Sequence, residues 1–238
     1  MRLIKFETVY QMTFMPRVFP VNCYLVEETN DLTLIDAGME FCGKDILKTA
    51  SGIGKPVTRI VLTHPHADHI GALDYLKANL PEASVFISER DSLLMNGDLS
   101  LKPGEENTPI RGGFKKDLKT HADVLIAEGD SIGSLQAVAV PGHTPGSMAF
   151  YDPRSKMLIA GDAFQTRGGL AVTGDTRILF PFPSAATWSK RQAVASARKL
   201  NRMDFRFLAV GHGDVLGNPA SLIEAAIRRA EAKLTRQV

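Results

Sequence analysis

Residues 63–69, "THPHADH", place three of the chain's six histidines and one aspartate within seven positions, directly after the apolar run "RIVL". In a turn leaving a buried strand, His64 and His66 project to the same side, whereas Asp68 and His69 reach a neighbouring position. Imidazole and carboxylate are donors that zinc and related first-row metals accept. Three protein ligands with one position open is a catalytic rather than a structural arrangement. One short segment therefore offers parts of two adjacent metal sites, and the remaining ligands must come from elsewhere in the chain.

Three later segments have the right form. "AVAVPGHTPGS" ends an expected strand in a turn carrying His143, "MLIAGDAF" ends another carrying Asp162, and "FLAVGHGDV" ends a third carrying His212. A glycine beside each lets the backbone bend sharply and approach a metal without a Cβ in the way. A lone histidine after a strand is usually an ordinary core or surface residue, but five of six histidines share this setting, and only His121 lies apart. The two cysteines, Cys23 and Cys42, stand at neither metal-knuckle nor redox spacing and read as buried thiols.

The elements that must position these residues begin with short β-rich runs, "RLIKFE", "NCYLVEE" and "LTLIDAG", with turn chemistry at Asn30-Asp31 and Ala37-Gly38. "TRIVLTH" reads as a strand followed by one helix over "DHIGALDYLKANL", whose Ile70, Leu73, Leu76 and Leu80 share a face. "ASVFIS", "ADVLIA", "LQAVAV", "SMAFYD" and "KMLIAGD" read as further strands. Residues 96–121, rich in glycine, proline and charge, read as an irregular surface insertion. Helices are expected near 187–200 and 219–235. The last would have Asn218 as N-cap, Pro219 at the first helical position, and Leu222, Ile223, Ala226, Ile227, Ala230 and Leu234 as its buried stripe. Many strands with few helices suggest two packed sheets covered by helices on the outside.

With 44% hydrophobic residues the chain can bury a sizeable core, and no repeat or linker divides it, so residues 1–238 are expected to form a single domain. Its 28 basic and 26 acidic residues give a formal charge of +2, too balanced to advertise a polyanionic partner although a sequence pI near 8.5 does not forbid one; no nucleic-acid partner is expected, and the expected partner is a small-molecule substrate. The basic residues Arg228, Arg229, Lys233 and Arg236 of the final helix read equally as a solvated face or as a contact for an acidic partner. "MRLIKFETVY" lacks the uninterrupted apolar stretch of a signal peptide or membrane span, so no membrane association and a cytoplasmic location are expected. A homo-oligomer is compatible with the sequence.

"HPHADH" resembles the HxHxDH signature of the metallo-β-lactamase superfamily, and the likeness continues through "DAG" at 36–38, "PGHTPGS" at 141–147, "GD" at 161–162 and "GHG" at 211–213. The resemblance implies an α/β fold, specifically an αβ/βα four-layer sandwich of two mixed β-sheets flanked by helices. It implies a dinuclear centre of two zinc ions, with manganese or iron also compatible. His64, His66 and His143 would hold the first metal, Asp68, His69 and His212 the second, with Asp162 bridging and Asp36 supporting. The implied chemistry is hydrolysis by a hydroxide formed between two cations, with Asp68 able to pass a proton to the leaving group.

Within the superfamily, Asp162 stands where some zinc β-lactamases carry a metal-binding cysteine, which argues against antibiotic hydrolysis of that kind. Only 26 residues follow His212, so the glutathione-holding helical domain of glyoxalase II is not expected. The RNA-processing branch needs a large extra domain or arm and a basic groove. The acyl-homoserine lactonases add a tyrosine shortly after the bridging aspartate. Here Tyr10, Tyr24, Tyr75 and Tyr151 lie elsewhere, and Phe164 and Gln165 follow Asp162. The apolar segments 10–20 and 170–183, with Phe14, Phe19, Phe180 and Phe182, would either line an acyl pocket or pack into the core. The expected activity is cleavage of an ester, lactone or thioester with an apolar acyl group. The alternatives are a mononuclear iron persulfide dioxygenase, a phosphodiesterase or nuclease, and a binding protein on an inherited fold; the last usually shows lost ligands, and all seven are present.

Overall fold

The computed structural model describes residues 1–236. The chain opens with four antiparallel strands, β1 (Arg2–Phe6), β2 (Val9–Phe14), β3 (Val21–Glu27) and β4 (Leu32–Ile35). Helix α1 (Gly43–Ile53) crosses to β5 (Val57–Val61), which pairs parallel to β4. Helices α2 (Ala67–Ile70) and α3 (Leu73–Asn79) lead to β6 (Ser84–Ser88), and α4 (Glu89–Met95) with a long connection leads to β7 (Val124–Ile126), both joined in parallel. These seven strands form one mixed sheet in sequential order.

The second sheet starts with an antiparallel run, β8 (Ser131–Ile132), β9 (Leu135–Ala139), β10 (Met148–Asp152) and β11 (Met157–Ile159). A small ribbon, β12 (Phe164–Gln165) and β13 (Ala171–Val172), then precedes α5 (Phe182–Ala185) and α6 (Lys190–Leu200). Strand β14 (Phe207–Ala209) returns parallel to β11, β15 (Leu216–Gly217) closes that edge, and α7 (Ala220–Thr235) follows. The order is β15-β14-β11-β10-β9-β8.

Strand periodicity of two explains the layers. In β3, Tyr24 and Val26 enter the core between the sheets, while Cys23 and Leu25 face the helices. In β11, Met157 and Ile159 point inward and Leu158 outward. Both faces are buried, so the strands read as continuous apolar runs rather than alternating ones. Ile46 of α1 and Leu73 and Leu76 of α3 cover the first sheet, and Ala197, Ile223 and Ile227 of α6 and α7 cover the second. Each leucine or isoleucine buried this way contributes about 1.5–3 kcal/mol, and an alanine such as Ala197 well under that. The four-layer order of helices, sheet, sheet and helices is the one expected.

Several local expectations need correction. Of the apolar segment 10–20, residues 10–14 form most of strand β2, and Phe14 packs into the outer core rather than lining a pocket. The expected helix after "TRIVLTH" is two, because the Gly71 amide bonds to the Gly38 carbonyl instead of continuing the helical ladder. Helix α7 begins one residue later than expected. Pro219 occupies the N-cap, Asn218 makes no cap and sits at φ 48°, and Leu222 is exposed. Among the described residues no helix is long and apolar enough to cross a membrane.

Candidate metal centre

The seven residues singled out in the sequence converge on one end of the sandwich. Strand β5 ends at Val61 and delivers His64 and His66; α2 carries Asp68 and His69. The turn between β9 and β10 carries His143, the turn after β11 carries Asp162, and the turn after β14 carries His212. Parallel pairs β4–β5 and β11–β14 have their carboxyl ends here, which is where open α/β sheets gather functional loops. In each of the groups His64/His66/His143, His64/His69/Asp162 and Asp68/His69/His212, one ligand atom per residue lies within 4.8 Å of the others.

Each imidazole has one nitrogen held by a partner outside the cluster. Thr63 Oγ1 donates to Asp36 Oδ2 at 2.8 Å, so it accepts from His64 Nδ1 at 3.0 Å. His66 Nε2 donates to the Arg111 carbonyl (2.9 Å), His69 Nδ1 to Asp36 Oδ2 (2.7 Å) and His212 Nδ1 to the Pro20 carbonyl (2.7 Å). His143 Nδ1 contacts Thr173 Oγ1 at 2.9 Å. The other nitrogens all turn inward. His212 Nε2 lies 3.2 Å from Asp162 Oδ2 and 3.3 Å from Asp68 Oδ2, and His143 Nε2 lies 3.4 Å from Asp162 Oδ2.

These residues fit metal ions on three counts. His64 Nε2, His69 Nε2 and Asp162 Oδ1 are buried without a hydrogen-bond partner, a costly condition that a cation relieves. His66 Nδ1 and His143 Nε2 face each other at 2.9 Å while His66 donates through its other nitrogen, an arrangement suited to two lone pairs sharing a cation. Asp36, the supporting residue, takes three donors at once: the Thr63 amide, the Thr63 hydroxyl and His69. Such outer partners fix the ring and its tautomer.

The electrostatics agree. Burial pushes His64 well below its ordinary range, with His69 and His66 adding to the effect, and holds His143 at about 3, so these imidazoles are neutral donors. Burial also opposes charge on His69, but Asp162, Asp36 and Asp68 outweigh it and hold the ring at about 9. Asp162 and Asp68 are buried as well, yet His212 and His69 keep both carboxyls below the usual range. The centre thus favours positive charge beside Asp68 and Asp162.

Two glycines show how closely backbone approaches. A Cβ on Gly211 would lie 2.1 Å from Asp162 Oδ1, and one on Gly112, at φ 111°, would lie 2.0 Å from His66 Nε2. Gly112 belongs to the insertion 96–121, so that segment is not merely surface: Arg111, Gly112 and Phe114 close over His66. Sequence reasoning missed this contact, although the Gly112-Gly113 pair was its one visible mark. His121 is exposed, bonds to Asn96 and stays outside the cluster.

The centre opens into a cleft of about 330 Å³ whose apolar wall includes Phe19, Phe182, Pro183 and Ala186, and whose lining holds no lysine or arginine among the described residues. Phe180 is buried behind Phe19 and His212. Phe164 packs into the outer core, and Gln165 Nε2 donates to the Arg167 and Phe180 carbonyls, tying down the segment behind the wall. Tyr24 is buried and donates to the Val210 carbonyl, and no tyrosine lines the cleft among the described residues. On α7, Arg229 and Lys233 are committed to buried Asp175, and Arg228 pairs with Glu224.

Fold and site define a protein of the metallo-β-lactamase superfamily: the family model for that superfamily matches residues 16–212, and the chain belongs to it. It is 51% identical over 231 residues to the uncharacterized protein YobT of Bacillus subtilis, covering 97% of this chain and 99% of that one. It is 28% identical to the "probable metallo-hydrolase YflN" of the same organism over 81% of this chain and 80% of the other. Among solved structures, TTHA1623 in a di-iron-bound form aligns with a TM-score of 0.66 at 27% identity, covering 89% of this chain and 96% of that one.

Proposed function

We propose that this chain is a dinuclear zinc hydrolase that cleaves a neutral ester, lactone or thioester bearing an apolar acyl group. One observation carries the reading: five imidazoles each have one nitrogen occupied outside the cluster and the other turned into it, where Asp68 and Asp162 lie, at the floor of a cleft with an apolar wall. His64, His66 and His143 would hold one cation, Asp68, His69 and His212 the other, and Asp162, within 3.5 Å of His69, His143 and His212, would bridge them. Bound there, the cations would supply a nucleophilic hydroxide near neutral pH and polarise the scissile carbonyl.

The chain's own residues do the rest. Phe19, Phe182 and Pro183 hold the acyl group and exclude water along one side, and a lining without lysine or arginine favours a neutral substrate over a phosphodiester. Asp68, whose side chain is 23% exposed at the cleft floor and whose carboxyl His69 and His212 keep charged, would accept a proton from the attacking water and pass it toward the departing group. Iron stays compatible with the donor set, since imidazole and carboxylate serve both metals. Residues 1–238 act here as one catalytic domain. The buried free thiols of Cys23 and Cys42 suit the reducing cytoplasm.

The test is a panel of lactones, thioesters, aryl esters and phosphodiesters, each in short and long acyl or alkyl forms, assayed with zinc-loaded protein. Turnover should favour carboxylic esters or thioesters with longer chains. Preference for phosphodiesters, or oxygen uptake with a persulfide by iron-loaded protein and no hydrolysis, would overturn it.

A further inference from the structure

We propose that Thr173 and Thr187 are positioning residues that fix which nitrogen of His143 faces the metal centre and join that choice to the apolar wall of the cleft; the proposal rests on the metal-centre reading above. Three short contacts form a chain. Thr187 Oγ1 lies 2.7 Å from the Pro183 carbonyl, Thr173 Oγ1 lies 2.8 Å from Thr187 Oγ1, and His143 Nδ1 lies 2.9 Å from Thr173 Oγ1. All three side chains are buried, so water does not substitute for any link.

The direction of every proton follows from the far end. A carbonyl only accepts, so the single hydrogen of the Thr187 hydroxyl goes to Pro183. Thr187 must then accept from Thr173, whose only hydrogen is thereby used. Thr173 can meet His143 only as an acceptor, so His143 carries its hydrogen on Nδ1. The Nε2 lone pair is left facing His66 Nδ1 and Asp162. Without the chain, the opposite tautomer has an acceptor waiting, because Asp162 Oδ2 lies 3.4 Å from His143 Nε2. That tautomer would block the ligand position.

The same chain reaches the substrate wall. Pro183 belongs to α5 and lines the cleft beside Phe182. The residues after Thr187 close the unit from the other side, with the Trp188 amide donating to the His143 carbonyl (3.0 Å) and the Ser189 amide to the Gly142 carbonyl (2.9 Å). The wall that meets an acyl group and the ligand His143 are therefore one hydrogen-bonded body, and displacement of α5 changes the support of His143.

The experiment compares wild type with Thr173→Val, Thr187→Val and the hydroxyl-retaining Thr187→Ser. Two-bond nitrogen–proton correlation spectra of metal-free protein identify the His143 tautomer, and competition with a chelator gives zinc affinity. Wild type and Thr187→Ser should show Nδ1–H. Thr173→Val should populate Nε2–H and lose about 10–100-fold in affinity for one metal equivalent, with Thr187→Val between them. Folded valine variants that keep Nδ1–H and full affinity would overturn the proposal, as would equal loss in Thr187→Ser and Thr187→Val. If wild type shows Nδ1–H and the variants lose it, but none binds zinc, the relay stands and the metal-centre reading falls.

Discussion

Asp36 Oδ2 accepts the Nδ1 hydrogen of His69 at 2.7 Å from a backbone held at φ 59°, a left-handed conformation uncommon for a residue with a Cβ. The turn after β4 thereby aims one carboxyl at Thr63 and His69 together. Asparagine tolerates the same backbone but presents an N–H where one carboxylate oxygen stood. In Asp36→Asn, His69 Nδ1 must accept, which places its hydrogen on Nε2, toward the metal. The variant should fold and lose about 10–100-fold in affinity for the second metal. Calorimetric zinc titration checks this, and two unchanged binding events would contradict it.

His212 and His121 make a matched pair of substitutions. His212→Ala removes a ligand beside Asp68 and Asp162, so hydrolysis should fall by a factor on the order of 10³ or more. His121→Ala alters only an exposed contact with Asn96 and should leave kcat and metal content near wild type. Steady-state kinetics on both variants reads the contrast, and similar small losses in the two would contradict the assignment.

Phe182 and Phe14 separate substrate contact from packing. Phe182 is about half exposed at the cleft, so Phe182→Ala should raise KM several-fold for long acyl chains, about 1 kcal/mol, with little change for short ones. Phe14 is in the core, so Phe14→Ala should cost about 3–5 kcal/mol of stability. Denaturant unfolding beside a chain-length series distinguishes them.

Asp91, which supports the turn carrying His143, offers a pH signature in stability. Burial pushes its carboxyl up to about 7, against hydrogen bonds from the Thr144 hydroxyl and the Gly146 amide that favour the charged form. An acid raised in the folded state binds its proton more tightly there than in the unfolded chain. Its stabilisation is complete below its ordinary value near 3.8 and is lost as pH rises through about 7. Asp91→Asn cannot titrate. Its Tm relative to wild type should therefore rise by several degrees between pH 5 and pH 8, and parallel melting profiles would contradict this.

The ligands were legible because metal chemistry demands particular residue types at strand exits, and "HPHADH" concentrates four of them. Asp36 was legible in its "DAG" setting, but its exact partners were not. Strand β2 carries its period in the alternation Tyr10-Gln11-Met12-Thr13-Phe14, but the pattern does not show that the polar members are buried as well, Gln11 being satisfied by the Gly213 carbonyl beside His212. Helix α1 buries only a thin stripe, with Ile46 and Ala50 as its apolar members, which gives a weak period. Thr173, Thr187 and the Pro20 and Arg111 carbonyls support the histidines from distant segments. A carbonyl leaves no trace in residue type, and a threonine after a short strand looks like any other.

The most direct measurement is the metal-to-chain ratio of purified protein after zinc saturation and gel filtration, read by plasma mass spectrometry. Seven donors arranged around a shared Asp162 predict a ratio of about two. A ratio near one or zero in correctly folded wild-type protein would contradict the dinuclear centre on which the proposed hydrolysis depends.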